Sequence, residues 1–129
     1  MSSDNPNQRC PCHSGKKYKR CCRPWHGGEA APTPEALMRS RYAAYSLGLV
    51  EYVMATTAQN GPRARPDRDA WAAEIAEFGR DVAFVGLEIK GTGVEGDAGW
   101  VHFRAILAQE GVDASFEERS GFEKKDGRW

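Results

Sequence analysis

No cysteine occurs beyond Cys22, and the four that the chain has all lie between Cys10 and Cys22. A disulfide framework spreads its cysteines over the chain it staples, so this clustering argues against one and points to a metal held in a reducing compartment. Net charge is also lacking: 18 lysines and arginines offset 18 aspartates and glutamates. Overall charge therefore gives no argument for nucleic-acid binding. No apolar run is long enough to span a bilayer, so no membrane contact is expected. Residues 1–8 are polar and have neither the apolar stretch nor the cleavage pattern of a secretory signal, which makes the cytoplasm the expected setting. Internal repeats are lacking as well.

What is present is unevenly placed. Up to His26, the six basic residues Arg9, Lys16, Lys17, Lys19, Arg20 and Arg23 stand against Asp4 alone, a formal +5, which leaves −5 for the remainder. A chain of 129 residues accommodates one ordinary domain plus an appendage too small to hold a core. The expected division is 1–26 as the appendage, 27–34 as a linker and 35–129 as the main domain. The linker reads GGEAAPTP, where glycines loosen the chain and prolines oppose helix. A loosely tethered satellite beside a separate core is the expectation.

Thr33, Pro34 and Glu35 form a helix start: a side-chain oxygen for the N-cap, a proline for the first helical position and an acid in the positive first turn. Leu37, Met38, Tyr42, Tyr45 and Leu49 follow as a one-sided stripe, which Gly48 ends or bends. Residues 50–57 read as a second short helical piece. Residues 59–66, with Gly61, Pro62 and Pro66, read as a loop. Residues 67–78 read as a third helix with a buried stripe of Trp71, Ile75 and Phe78 and with Gly79 as its stop. The pattern then changes to period two over 81–90, 99–109 and 115–124, joined by short glycine-containing turns near 95–97 and 110–113. This order predicts an α+β fold with helices packed on an antiparallel meander.

The cysteines have the spacing C-x-C-x8-C-C. Structural zinc takes four soft donors at tetrahedral corners. Ser14 and Gly15 make a turn that delivers Cys10 and Cys12, and residues 16–20 make a helical turn that delivers Cys21 and Cys22. One structural zinc on these four thiolates carries a formal −2, which the nearby cations offset. His13 and His26 are the competing ligands, and His13 occupies a position that glycine fills more easily.

CPCHSGKKYKRCC, residues 10–22, closely resembles the SEC-C motif, named for the C-terminus of a preprotein translocase ATPase. It departs at His13, where the motif usually has glycine, and at Cys22, where the translocase has histidine and many other members have cysteine. PTPEALMRSRYAAY and EERSGF, residues 32–45 and 117–122, extend the resemblance to the YchJ-like family of SEC-C proteins. That resemblance implies a nuclear-transport-factor-2-like domain, a curved antiparallel sheet wrapped around helices to make a cone. It implies zinc and no particular chemistry. Many relatives carry a second SEC-C motif, absent here, and their last strand runs on past a tryptophan such as Trp129, so a short final strand is expected.

A cone of this kind encloses a cavity, whose candidate lining is Arg41, Tyr42, His102, Arg104 and Glu118. No acid–base motif accompanies them, which argues against an enzyme. The leading functional reading is a zinc-binding adaptor. Lys16, Lys17, Lys19, Arg20 and Arg23 would meet an acidic protein surface, as the resemblance to the translocase knuckle implies. A second reading is a small-molecule-binding or lyase/isomerase-type domain that uses the cavity. RNA or ribosome contact through the same five cations is a third.

Overall fold

Thr33 caps the first long helix: its Oγ1 accepts the Ala36 N–H at 3.0 Å, with Pro34 in the first turn. Gly48 closes the helix at φ 75°, where its N–H reaches the Ala44 and Tyr45 carbonyls. The computed structural model describes residues 7–58 and 64–129. A 3-10 turn (Tyr18–Arg20) and a one-turn helix α1 (Arg23–His26) precede α2 (Pro34–Leu47), α3 (Val50–Ala55) and α4 (Arg68–Asp81). The strands β1 (Ala83–Glu95), β2 (Ala98–Gln109), β3 (Val112–Asp113) and β4 (Phe116–Glu123) follow. Helices come first and the sheet second. The loop expected over 59–66 lies mostly outside the described residues. No helix among them is long and apolar enough to cross a membrane.

β2 is central, antiparallel to β1 on one side and to β3 and β4 on the other. Both hairpin turns are two residues long. Gly96 has φ 61° in the first, and Glu110 and Gly111 have φ 51° and 79° in the second, the paired positive values that match strand twist. Along β2, Val101, Phe103, Ala105 and Leu107 are buried, and they pack with Met38, Tyr42 and Ala43 of α2. A second cluster joins the three helices through Ala44, Val53, Met54, Trp71 and Ile75.

The expectations for α4 and for the knuckle need correction. Gly79 does not stop α4, which continues to Asp81. A Cβ on Gly79 would lie 2.2 Å from the Tyr45 carbonyl oxygen, so the glycine is there to let α4 approach α2. Phe78 is likewise 40% exposed rather than core.

The second correction concerns the satellite. Cys10, Cys12, Tyr18 and Cys22 belong to the same buried cluster as Val101, Phe103 and Leu107. Contacts across the join include Arg39 Nη1 to the Cys12 carbonyl at 3.3 Å and Arg128 Nη2 to the Gly28 carbonyl at 2.7 Å. The knuckle is packed on the domain because its few apolar side chains have no other place to be buried.

If Gly79 marks a close approach, Gly79→Ala destabilises the protein by about 1–3 kcal/mol, the usual range for overpacking. Urea unfolding measures this. A helix-stop glycine would give a neutral or stabilised variant instead.

Candidate functional site

The knuckle begins as a miniature hairpin. An isolated bridge pairs Arg9 with Lys17, and the Cys10 N–H reaches the Lys16 carbonyl at 2.8 Å. A turn follows at once, with the His13 N–H on the Cys10 carbonyl at 3.1 Å and φ values of 63° at His13 and 87° at Gly15. These left-handed positions turn Cys10 and Cys12 back toward the 3-10 turn. Cys21 then closes that turn, its N–H on the Tyr18 carbonyl at 3.0 Å, and Cys22 is the N-cap of α1.

The four sulfurs all lie within 4.8 Å of one another. Cys12 and Cys21 are 3.5 Å apart, and Cys21 and Cys22 are 3.9 Å apart. Tetrahedral bonds of about 2.3 Å place sulfurs about 3.8 Å apart, so the cluster fits one tetrahedral metal ion. All four cysteines are free of disulfides, and three are buried while Cys21 is partly exposed. Hydrogen bonding among the sulfurs divides their protons unequally. Cys10 lowers the Cys12 thiol and brings Cys21 down to about 6, while Cys10 and Cys22 are themselves pushed up by their sulfur neighbours. Ser14 Oγ, 3.1 Å from Cys21 Sγ, supports that sulfur.

Neither histidine joins the cluster. His13 Nε2 donates to the Phe84 carbonyl at 2.9 Å. His26 Nε2 donates to the Ser40 carbonyl at 2.8 Å, which leaves Nδ1 to accept the Tyr18 hydroxyl at 2.6 Å. Ser40 Oγ bonds the Leu37 carbonyl and accepts from Tyr52, so a polar chain runs from knuckle to α3. Both histidines fasten the knuckle to the domain. The sequence shows His13 in a glycine-like position, but not its partner 71 residues away.

A cavity of about 550 Å³ lies beside the knuckle, between α2, α4 and the inner face of the sheet. Arg41, Tyr42 and Glu118 line it. His102 and Arg104 do not, which corrects the expected set. The register pairs Phe103 with Glu118, and His102 and Arg104 with Arg119 and Glu117, so the two groups lie on opposite faces. A one-residue offset in pairing exchanges faces, and alternation within single strands leaves that offset open. On the outer face, His102 Nε2 is 2.6 Å from Glu117 Oε2 and holds that carboxyl below its usual range. Arg41 Nη1 binds the Val53 carbonyl and the Thr56 and Thr57 hydroxyls at the C-terminal end of α3. The aromatic side chains of Trp71, Phe78, Phe84, Phe103 and Phe116 complete the wall. As a cavity lining they were missed, because an apolar residue reads the same in a cavity wall as in a core.

Fold and site together define a nuclear-transport-factor-2-like (NTF2-like) domain with a SEC-C cysteine cluster packed on it. Residues 33–129 match the family described as YchJ, middle NTF2-like domain, and residues 7–24 match the SEC-C motif. The chain belongs to this YchJ-like family. It is 43% identical over 126 residues to a UPF0225 protein of Deinococcus radiodurans, covering 96% of this chain and 86% of that one. Its fold is similar to the solution structure of a SEC-C motif containing protein from Rhodopseudomonas palustris, with 38% identity, TM-score 0.78 and coverage of 95% and 93%. A crystal structure of a SEC-C motif containing protein from Psychrobacter arcticus matches at 26% identity and TM-score 0.76, covering 95% of this chain and 77% of that one.

Burial lowers the His26 pKa, so the folded state keeps the ring neutral. The unfolded chain takes up a proton first, near pH 6.5, so stability is full above that value and falls as pH drops below it. Replacing His26 by Gln removes this dependence. The wild-type advantage, about 1–3 kcal/mol at pH 7.5 from lost hydrogen bonds, should shrink toward pH 5.5 in urea titrations.

Proposed function

We propose that this protein is a zinc-structured, non-enzymatic adaptor of the cytoplasm whose knuckle docks an acidic protein surface. Cys10, Cys12, Cys21 and Cys22 would hold one Zn²⁺ in a closed, four-coordinate structural site, and the ion would supply folding energy rather than chemistry. Its binding is worth about 10–16 kcal/mol in small zinc peptides, more than so short a segment gains by packing.

The observation that carries the adaptor reading is the outer face of the knuckle. Lys16, Lys17, Lys19, Arg20 and Arg23 are exposed, and none forms an ion pair among the described residues. Cations held on a metal-fixed turn lose little freedom on docking and steer an acidic partner. A second reading is favoured by the cavity, which supports small-molecule binding. With His102 on the outer face, the histidine that a lyase or isomerase reading would use as base is outside the pocket.

Native mass spectrometry should find one zinc per chain. Chelation should lower the thermal midpoint of the whole domain, because the cysteines and Tyr18 share its core; an unchanged sheet transition would return the knuckle to satellite status. For the adaptor, a photo-crosslinking amino acid at Lys19 should capture an acidic protein from cell extract. Reversing the charge of Lys16, Lys17 and Arg20 should abolish that capture. Capture of RNA instead, or capture that survives the reversal, rejects an acidic protein partner.

A further inference from the structure

One of the hydrogen bonds that seat the knuckle ends on the wall of the cavity. The Phe84 carbonyl accepts from His13 at 2.9 Å, and the Gly86 carbonyl accepts from the Tyr42 hydroxyl at 2.8 Å. Between them lies Val85, where β1 slips register against β2. Such irregularities re-aim the neighbouring side chains. Here one carbonyl beside the slip is held from the knuckle and the other from α2.

The side chain so placed is Phe84. Its ring meets Tyr42 edge-on at 5.3 Å between centroids and Phe78 at 5.9 Å, and all three line the cavity. His13 itself meets Tyr42 edge-on at 5.9 Å. The position of His13 follows from the metal cluster, because it directly succeeds Cys12 and its N–H closes the turn on Cys10. A continuous path of packed rings therefore joins the sulfur cluster to the cavity wall.

The wall also specifies a class of ligand. Trp71, Phe103 and Phe116 present aromatic surface, and the formally charged lining residues balance, Arg41 and Arg65 against Glu74 and Glu118. About 550 Å³ is within the usual range for drug-sized ligands. We infer that the cavity binds a flat, uncharged, largely aromatic small molecule, and that His13 couples its binding to metal loading of the knuckle. This rests on the small-molecule reading of the cavity given above. Coupling of this kind is reciprocal: the factor by which metal tightens the ligand is the factor by which the ligand tightens the metal.

The test uses the full-length protein and the neutral fluorophore N-phenyl-1-naphthylamine. Three proteins are compared: wild type, His13→Gly, which suits the left-handed backbone and keeps all four cysteines, and Ser120→Trp, which fills the cavity from β4. The zinc-loaded wild type should bind the probe, and Ser120→Trp should not. His13→Gly, still with one zinc, should bind it about fivefold more weakly or worse, the lower end of ordinary coupling. Saturating probe should lower the free zinc needed for half-loading of wild type by the same factor, and leave His13→Gly unmoved. Equal probe affinity in wild type and His13→Gly, with unmoved zinc affinity, overturns the coupling while the cavity reading stands. Failure of wild type to bind the probe, or equal binding by Ser120→Trp, overturns the cavity reading and the inference with it.

Discussion

Four sulfurs must be brought to within 4.8 Å of one another on a segment too short to form its own core, and much of the structure answers that constraint. The backbone enters left-handed conformations at His13 and Gly15 to fold the first pair back. The strain at His13 is offset by a hydrogen bond and a ring contact that only the main domain supplies. The cluster is therefore both the centre of the knuckle and a contact of the domain core.

Those two roles explain how one small element presents opposite faces. Toward the domain it offers Tyr18, Cys12 and Cys22, all buried, and the rings of His13 and His26 as hydrogen-bond donors. Toward solvent, between the cysteine pairs, it offers the cations Lys16, Lys17, Lys19 and Arg20. Alternation on so tight a turn is enforced by the sulfurs: residues that do not reach inward to the cluster or the core must point out. The basic surface is thus a geometric consequence of the sulfur cluster.

In the sheet, the corresponding constraint is the register of β2. Burial of Val101, Phe103, Ala105 and Leu107 on the helices sends His102 and Arg104 outward, where His102 meets Glu117. The same pairing brings Glu118, Ser120 and Phe122 to the inner face beside Arg41 and Tyr42. The cavity owes its polar corner to α2 and β4 and its aromatic wall to α4 and all three long strands. The register slip at Val85 is the point at which knuckle, helix and sheet meet.

Much of this was readable from local chemistry. The Thr33 cap, the Gly48 stop, the short glycine-containing hairpin turns, the helix-then-meander order and the cysteine spacing each depend on residues close in the chain, where propensity and turn geometry act without help. Gly79 was misread because a glycine kept for the approach of another helix looks the same as one that ends its own. The docking of the knuckle, the role of both histidines and the face of the sheet on which His102 lies are different in kind. Each depends on atoms brought together from distant parts of the chain, as Phe84 and His13 are, and on a pairing offset that alternation cannot reveal. By itself the sequence determined the elements and a cluster of four cysteines spaced for a metal ion. Only the tertiary structure decided what that cluster is attached to, because burial is shared across the fold and no local pattern encodes the partner.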